Sequence, residues 1–240
     1  MRFQIHNQDA ESFLQQSEEL IDLTICSPPF KKSDGYDFQK MLHIFALIKR
    51  QSRENALCFV NFGHLAHHKG DPFFLALGIE AQGWKWHDTI VWFKCGHYTP
   101  LPDPHLNNLW EPIFVFCNGE KPQLDRLSIG VPFKDKSNVD RYGKGKDLRC
   151  AGNLWSIDYE TITSKEQKTH KDRFPVELPR RCIKLAGIKK GSRVFDPFSG
   201  SGTTGVAALE LGMLYTGTEI LPDIAQKSVD RLQGLSENVV

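Results

Sequence analysis

Residues 194–205 read Val-Phe-Asp-Pro-Phe-Ser-Gly-Ser-Gly-Thr-Thr-Gly, which predicts a short buried strand, then a glycine turn, then the start of a helix. The three glycines have the spacing Gly-x-Gly-x-x-Gly, with which α/β folds bind nucleotide-like cofactors at the first turn of a helix. Glu219 lies near the end of the next predicted strand, where a carboxylate can accept hydrogen bonds from ribose hydroxyls. The segment therefore predicts a doubly wound α/β fold with a cofactor site near residue 200.

Two features of this part of the chain disfavour a nicotinamide dinucleotide. Asp196 places a carboxylate just before the glycines, where it would repel a pyrophosphate. Only one strand and one helix are predicted downstream of the glycine helix, so the second half of a dinucleotide-binding fold cannot form there. S-adenosylmethionine has a ribose and an adenine but no phosphates, and its ammonium group favours a carboxylate partner. We therefore interpret the segment as a site for S-adenosylmethionine.

A second segment, Thr24-Ile-Cys-Ser-Pro-Pro-Phe30, predicts a strand that ends in a rigid Pro-Pro step followed by an aromatic residue. Ser27 offers a hydroxyl oxygen, and Pro28 offers a carbonyl whose direction is restricted because proline has a fixed φ. Such acceptors at the carboxyl end of a parallel strand suit a flat polar substrate, on which Phe30 could stack. Taken alone, the segment could also be an ordinary turn at the end of a strand.

Together, and in this order, the two segments resemble the amino-group DNA methyltransferases with permuted motif order, the β-group. In that family a Ser/Asp-Pro-Pro-aromatic catalytic motif precedes the cofactor motif Asp-Pro-Phe-x-Gly-Ser-Gly-Thr-Thr. The resemblance implies a class I, Rossmann-like methyltransferase fold with circularly permuted motif order. It also implies methyl transfer from S-adenosylmethionine to an exocyclic amine of a DNA base that is flipped out of the helix.

The residue at position 27 bears on the target base. In the family, Ser-Pro-Pro-aromatic is typical of cytosine-N4 enzymes and Asp-Pro-Pro-Tyr of adenine-N6 enzymes, so Ser27 favours the N4 amine of cytosine. Adenine N6, or an RNA substrate at the same site, is the alternative within this class. A methyltransferase-like module that holds DNA or cofactor without turnover is the alternative from another class, and intact Ser27, Pro28, Asp196 and Glu219 argue against it.

The resemblance also implies roles for individual residues. The expected catalytic residues are Ser27, Pro28, Pro29 and Phe30. The expected cofactor-binding residues are Asp9, Phe174, Asp196, Phe198, Gly200, Ser201, Gly202, Thr203, Thr204 and Glu219.

Within this cofactor set, the segment from Asp196 matches the family's methionine-lining motif, and Glu219 matches its ribose-binding acid. Asp9, in Asn7-Gln-Asp9, matches a carboxylate that accepts from the adenine amine, although capping of a helix over residues 10–16 explains it equally well. The segment His170-Lys-Asp-Arg-Phe174-Pro175 resembles the family element His-Pro-x-x-Phe-Pro, which packs beside the cofactor, but departs from it at Lys171.

The pattern of apolar residues predicts strands that alternate with helices, which is typical of a doubly wound parallel sheet. Residues 85–94 and 111–117 are expected to form an antiparallel pair at an edge of this sheet. We expect one methyltransferase domain over residues 1–240, with a small target-recognition insert over residues 118–152. The other expected strands are 2–7, 21–26, 56–61, 193–196 and 213–219, and the expected helices are 37–53, 72–82, 175–187, 203–211 and 222–232.

The formal net charge of +1 does not by itself indicate a nucleic-acid partner, but the positive charges are unevenly distributed. Residues 121–149 carry eight Lys or Arg against four Asp, and a local positive field can attract a polyanion. A solvated lysine-rich surface is the alternative. The expected DNA contacts are Lys134, Lys136, Arg141, Lys144 and Lys146.

Cysteine usage and hydropathy predict the setting in which the protein acts. Six cysteines without a Cys-x-x-Cys pair are typical of free thiols in a reducing cytoplasm. No apolar run approaches the ~20 residues that span a bilayer, so we expect a cytoplasmic protein without a membrane partner. No metal is expected, since His64, His67 and His68 beside Asp71 fit a polar loop. DNA is the expected partner, with a cognate restriction nuclease as a second candidate, and the assembly is expected to be a monomer or a homodimer.

Overall fold

The computed structural model of the protein describes residues 2–29, 37–63, 69–95, 100–101, 103–135, 139, 147–158 and 174–237. In chain order their elements are β1 (Phe3–His6), α1 (Ala10–Gln16), β2 (Ile21–Cys26), α2 (Phe38–Gln51), β3 (Ser52–Asn61), α3 (Asp71–Ala81), β4 (Lys85–Phe93), β5 (Trp110–Cys117), β6 (Val131–Pro132), β7 (Leu148–Arg149), β8 (Leu154–Ser156), α4 (Glu177–Ala186), β9 (Arg193–Asp196), α5 (Thr203–Glu210), β10 (Leu214–Thr218) and α6 (Pro222–Glu237).

Eight strands form one mostly parallel sheet in the order β1-β10-β9-β2-β3-β5-β4-β8. Within the described sheet only β5 runs antiparallel to its neighbours β3 and β4. The central strand β2 is buried along nearly its whole length, as expected for an apolar run that is covered on both faces of a parallel sheet. The predicted doubly wound α/β fold is therefore confirmed.

Two layers of helices cover the sheet. Helices α1, α2 and α3 pack on one face through a cluster that includes Leu14, Phe45 and Ile79. Helices α4, α5 and α6 pack on the other face through a cluster that includes Ile183 and Leu209. Each helix buries one apolar stripe, because residues three and four apart lie on the same side of a helix.

The expected antiparallel pair is present as β4 and β5, but its predicted position at the edge of the sheet is wrong. The short strand β8 pairs in parallel with the end of β4, with Trp92 opposite Trp155. Burial of Trp155 and a 2.9 Å hydrogen bond from Trp92 Nε1 to Ile157 O hold it there. A strand of three residues is too short to show a period of two, so the sequence pattern does not reveal it.

The described part of the segment over residues 118–152 contains a second, two-stranded sheet. In this sheet Val131 of β6 lies opposite Arg149 of β7. Leu124 and Ile129 pack against the main core, and Asp125 donates its backbone N–H to Leu185 O at 2.7 Å. The base of the segment is thus attached to the end of α4, whereas its role in target recognition stays a prediction.

All six cysteines have free thiols. Among the helices of the described ranges, none has both the length and the apolar character that a membrane span requires.

Candidate active site

The two predicted motifs follow neighbouring strands. Strand β2 pairs in parallel with β9, with Leu23 opposite Val194 and Thr24 opposite Phe195. From β9 the chain proceeds through α5 to β10 on one side, and from β2 it proceeds through α2 to β3 on the other side. Because the connections diverge between these two strands, a crevice opens at their carboxyl ends, where α/β proteins bind ligands.

Asp196 occupies the cofactor side of this crevice and is only 2% exposed. Its Oδ1 accepts a hydrogen bond from Phe198 N at 3.0 Å, and its Oδ2 accepts one from Thr204 Oγ1 at 2.7 Å. Burial raises the pKa of the Asp196 carboxyl to about 7, with a further contribution from the charge of Glu219, although the two hydrogen bonds act in the opposite direction. A cation beside this carboxyl would therefore stabilise a charge that the protein alone holds poorly.

The glycine turn after Asp196 requires left-handed backbone conformations. Gly200 has φ +51° and Gly202 has φ +76°, which other residues adopt at a cost. Glu219 holds this turn, because its Oε2 accepts from Gly200 N at 3.0 Å and its Oε1 accepts from Leu221 N at 2.9 Å. The turn and the carboxylate beside it are thus held by contacts within the protein. The ribose role of Glu219 stays a prediction.

The third glycine of the fingerprint serves packing. A Cβ at Gly205 would lie 2.7 Å from the Tyr215 ring and 2.9 Å from Leu232. The Tyr215 hydroxyl, buried under the turn, hydrogen-bonds with Ser199 Oγ at 2.8 Å. Ser199 and Tyr215 thus support the predicted cofactor turn. The sequence motif does not include them, and the aromatic residue in β10 is the one local feature that indicates this role.

We expect Gly205→Ala to lower the free energy of unfolding by about 1–3 kcal/mol, because the added methyl group overfills the contact with Tyr215. Urea denaturation measures this change. Gly234→Ala in α6 is the matched control, since a Cβ at Gly234 meets no atom within 4 Å. That substitution is expected to be neutral or slightly stabilising, as alanine has the higher helix propensity. Equal losses in both variants would contradict the packing explanation.

The residues around the turn fit S-adenosylmethionine. The hydroxyl of Ser201 is buried without a hydrogen-bond partner among the described residues, which leaves a polar atom for a ligand. Each carboxylate oxygen of Asp196 and Glu219 accepts one hydrogen bond from the described residues, and a carboxylate oxygen can accept more than one. Two acids and a buried hydroxyl match the ammonium and hydroxyl donors of this cofactor, and they disfavour a phosphate group.

The N-terminal segment contacts the chain just after β10, beside the glycine turn. Asn7 Nδ2 donates to Glu219 O at 2.9 Å and to Ile220 O at 3.1 Å. Asp9 caps α1, since its Oδ1 accepts from Glu11 N at 2.8 Å, and its Oδ2 forms a 2.7 Å ion pair with Lys40 Nζ. The capping alternative for Asp9 is thus observed, and its contact with adenine stays a prediction.

The catalytic side of the crevice begins at Cys26. Its thiol is fully buried, and burial, Cys58 and Asp196 all raise its pKa well above the ordinary value. The two motifs approach each other because Thr24 lies opposite Phe195 in the paired strands β2 and β9. The raised pKa keeps the Cys26 thiol protonated and unreactive. Ser27 and Pro29 are partly exposed and Pro28 is buried, whereas Phe30 lies outside the described residues.

The remaining predicted cofactor residues lie near the core. Phe174 is buried in the cluster beneath α4, and Phe198 packs against the cluster on the opposite face. Thr203 and Thr204 begin α5 and are buried. The structure therefore gathers Asp196–Thr204 and Glu219 around one turn, and it places Phe174 among core residues.

The predicted DNA contacts are only partly placed. Lys134 is exposed just after β6, and Lys136, Arg141, Lys144 and Lys146 lie outside the described residues. Strand β5 runs antiparallel to β3. The chain therefore leaves β5 at the end of the strands opposite to the end where Ser27 lies. The base of this basic segment is consequently not adjacent to the catalytic motif.

A metal centre finds no support in the part of the chain that the structure describes, where no group of three or more His, Cys, Asp or Glu could hold an ion. His64, His67 and His68 lie outside that part.

A mostly parallel sheet with a glycine turn and a buried acid at the end of β9 fits the class I methyltransferase fold. The chain belongs to the DNA methylase family, whose N6/N4 methylase model matches residues 21–230.

Two relatives illustrate the range of the family. The Type II methyltransferase M.XycI of Xanthomonas campestris pv. cyanopsidis is 30% identical over 171 residues, which are 71% of this chain and 52% of that protein. The DNA adenine methyltransferase YhdJ of Escherichia coli (strain K12) is 35% identical over 136 residues, which are 53% of this chain and 46% of that protein. The chain thus spans about half the length of the curated relatives it matches.

Solved structures support the fold. The PvuII DNA methyltransferase, which is cytosine-N4-specific, has a TM-score of 0.74 and 20% identity, with 96% of this chain and 86% of that chain covered. The TTHA0409 protein of Thermus thermophilus, complexed with S-adenosyl-L-methionine, has a TM-score of 0.71 and 20% identity, with 97% and 93% covered.

Proposed function

We propose that this protein is an S-adenosylmethionine-dependent DNA methyltransferase of the β-group that modifies the exocyclic N4 amine of cytosine. The observation that carries this proposal is the pairing of β2 with β9, which brings Ser27-Pro28 beside the glycine turn of Asp196. The catalytic segment precedes the cofactor segment in the chain, which is the permuted order of that group.

The chemistry explains why these residue types are needed. The lone pair of an exocyclic amine is delocalised into the aromatic ring, so the amine is a poor nucleophile. Ser27 Oγ and Pro28 O can accept hydrogen bonds from the amine protons and so favour a tetrahedral, nucleophilic nitrogen. S-adenosylmethionine supplies an electrophilic methyl group when bound. Because no covalent enzyme intermediate is needed, orientation and electrostatics contribute most of the rate enhancement.

The other residues of the crevice bind and orient. The Asp196 carboxylate accepts the ammonium group of the cofactor, and Glu219 accepts its ribose hydroxyls while it holds Gly200. Phe30 stacks on the flipped base, and Asp9 accepts from the adenine amine. These roles belong to the proposal.

The target base is assigned from Ser27, with support from the fold shared with the cytosine-N4-specific PvuII enzyme. The adenine methyltransferase YhdJ keeps adenine N6 as the second candidate. Mass spectrometry of nucleosides from the DNA of cells that express the protein tests both, with a Ser27→Ala strain as the control. N4-methylcytosine is the expected product. N6-methyladenine would overturn the assignment of the base, and the absence of both would overturn the proposed activity.

Asp196 makes cofactor affinity depend on pH. Its carboxyl, with a pKa of about 7, must ionise to bind the ammonium, so affinity is expected to fall by up to about tenfold per pH unit below pH 7. Calorimetry over about pH 5.5–7 measures this, a range in which an α-ammonium group stays charged. Asp196→Asn should bind weakly and without this slope. A wild-type affinity that does not change with pH would contradict the proposed contact.

The same raised pKa has a consequence for stability without cofactor. Between about pH 4 and pH 7 the folded protein retains the Asp196 proton and the unfolded chain has released it. The contribution of Asp196 to the free energy of unfolding therefore falls as the pH rises through this range, and Asp196→Asn should lack this component.

DNA is the proposed macromolecular partner, and the name of M.XycI as a Type II methyltransferase favours a cognate restriction nuclease. Lys134, Lys136, Arg141, Lys144 and Lys146 are proposed to neutralise phosphates.

We expect Lys144→Ala combined with Lys146→Ala to weaken DNA binding and to reduce its salt dependence by about one unit of slope per lost contact. Fluorescence anisotropy at several salt concentrations measures both quantities. Lys189→Ala with Lys190→Ala, before β9, is a control of equal charge. Unchanged affinity and slope would move the contact to another part of the chain, such as residues 165–181, which carry six Lys or Arg against three acidic residues.

A further inference from the structure

A largely buried ion pair, in which the Glu111 side chain is 14% exposed, joins the ends of β4 and β5. Lys94 directly follows β4 and is 1% exposed, and its Nζ lies 2.5 Å from Glu111 Oε1. Glu111 Oε2 accepts a hydrogen bond from Asn61 Nδ2 at 3.1 Å, and the same amide nitrogen donates to Pro112 O at 3.2 Å. Lys94, Glu111 and Asn61 therefore form one connected set, here called the strand-end network.

The strand-end network begins beside the catalytic motif. Strand β2 pairs with β3 so that Cys26 lies opposite Val60, which places Ser27 and Asn61 at the next level of two neighbouring strands. Strands β3 and β4 both run antiparallel to β5. The ends of β3 and β4 and the start of β5 therefore lie on the same side of the sheet, so Lys94 and Glu111 lie at the same strand ends as Asn61. The network extends from Ser27 on the side away from the cofactor turn.

The energetics of the pair do not favour a purely structural explanation. Removal of an ammonium and a carboxylate from water is costly, and apolar replacements of buried ion pairs are often neutral or stabilising. The ion pair is thus not needed to fill this part of the core. Because the ion pair lies at the strand ends where the substrate is expected to bind, its geometry points to a role in the reaction.

The network also determines how closely the backbone after β3 approaches. A Cβ at Gly63 would lie 3.2 Å from the carboxylate of Glu111, so only glycine lets the chain pass at this distance without displacement. Lys94 N donates to Leu109 O at 2.9 Å, and Lys69 Nζ donates to Asn108 Oδ1 at 2.9 Å. The β3–α3 and β4–β5 connections are thereby attached to each other and to the network.

Asn61 is held in one orientation by these contacts. Its Nδ2 carries two protons, and its two acceptors are Glu111 Oε2 and Pro112 O. These contacts use both donors of the amide, so Oδ1 is the end that can act as an acceptor. The backbone at the end of β3, level with Ser27, is fixed by the same contacts.

We propose that Lys94, Glu111 and Asn61 are positioning residues for methyl transfer, which fix the end of β3 beside Ser27 and so form the wall against which the target base is held. This inference rests on the proposed function. The network acts through the placement of the base at Ser27, and it leaves cofactor binding at the Asp196 turn unchanged.

The test combines Lys94→Met with Glu111→Leu, which removes both charges and keeps apolar volume. At saturating DNA and cofactor, kcat is expected to fall by on the order of tenfold to a hundredfold, because small misplacements of reacting groups have effects of this size. Calorimetry should show unchanged affinity for S-adenosylmethionine, and the Tm should stay within about 5 °C of that of the wild-type protein. If 2-aminopurine stands at the target position, its fluorescence change on binding should be smaller with this variant than with the wild-type protein, because the flipped base is held less well.

The matched control is Lys85→Met combined with Glu120→Leu. The atoms of this pair lie 2.8 Å apart and join the same two strands, β4 and β5, at their opposite ends. Loss of this pair should leave kcat unchanged. If the first double variant does not fold, Asn61→Ala, which keeps the ion pair, is measured in the same way with the same expected loss of kcat.

The outcomes distinguish failure of the proposed function from failure of this inference alone. Wild-type protein without methylation of DNA would overturn the proposed function and this inference with it. Methylation by the wild type together with kcat within about twofold of it in the network variants, or an equal loss in the control, would overturn the inference alone. A change confined to KM for DNA would also overturn it, because it would indicate DNA binding without positioning.

Discussion

Ser27→Ala is expected to lower kcat for DNA methylation by about 10²–10³-fold, the range found when one hydrogen-bonding group is removed from a reacting centre. The hydroxyl lies at the carboxyl end of β2, next to the buried Pro28, where it can accept from the amine that attacks the methyl group. Without it, one amine proton lacks its acceptor and the nitrogen stays planar and weakly nucleophilic. Affinity for S-adenosylmethionine should be unchanged, because the glycine turn belongs to β9 and α5.

The neighbouring Cys26→Ala is the control for this experiment. The Cys26 thiol is buried with its pKa raised well above the ordinary value, so it is not a nucleophile, and its removal should leave kcat within a few-fold of the wild-type value. Single-turnover transfer of a labelled methyl group measures both variants. A wild-type rate in Ser27→Ala would show that the hydroxyl does not act on the base.

Ser27→Asp bears on the choice of base. Aspartate at this position is typical of the adenine-N6 enzymes, so this variant can broaden methylation towards adenine. Nucleoside mass spectrometry distinguishes the two products.

Glu219→Ala is expected to weaken the binding of S-adenosylmethionine by about 10- to 150-fold, since a hydrogen bond to a charged group contributes about 1.5–3 kcal/mol. The substitution removes the proposed ribose acceptor. It also releases Gly200 N and Leu221 N, which Glu219 holds at 3.0 and 2.9 Å, so the glycine turn itself becomes less ordered. Isothermal titration calorimetry measures the change.

A matched control for Glu219 lies at the end of α5. Glu210 pairs with Arg180 at 2.5 Å on the surface. Glu210→Ala should leave cofactor affinity unchanged, because Glu210 lies at the end of α5 away from the glycine turn and exposed ion pairs contribute little to stability. Glu219→Gln keeps an acceptor oxygen and should have an intermediate effect. Unchanged affinity in Glu219→Ala, or binding of a nicotinamide dinucleotide by the wild type, would overturn the cofactor assignment.

Much of the fold could be predicted from local patterns. The apolar run of β2, the apolar face of α2 and the Gly-x-Gly-x-x-Gly spacing each lie within a window of a few to some fifteen residues. Side-chain period and backbone conformation are properties of such windows, because they arise from 3.6 or 2 residues per repeat and from the steric limits of glycine and proline. The order of the main strands and helices, and the two motifs, therefore follow from local sequence alone.

Relations between distant segments were not accessible in this way. The strand β8 on the outer side of β4, the Tyr215 ring against Gly205, and the ion pair of Lys94 with Glu111 all depend on packing between segments. A window around Lys94 resembles any strand end, and nothing within it shows that the ammonium is buried against a carboxylate 17 residues later in the chain.

The sequence thus specified the main strands and helices, their order and the chemical groups of the site, but not the short strands β6, β7 and β8. Tertiary packing specified which groups meet: Glu219 with the Gly200 turn, Asn7 with Glu219 across 212 residues, and Asn61 at the level of Ser27. Strand register and burial arise from the packing of the whole core, and they set the surroundings on which pKa values and catalytic geometry depend. For this reason the residue types of the site follow from the chain, and the raised pKa of Asp196 follows from the fold.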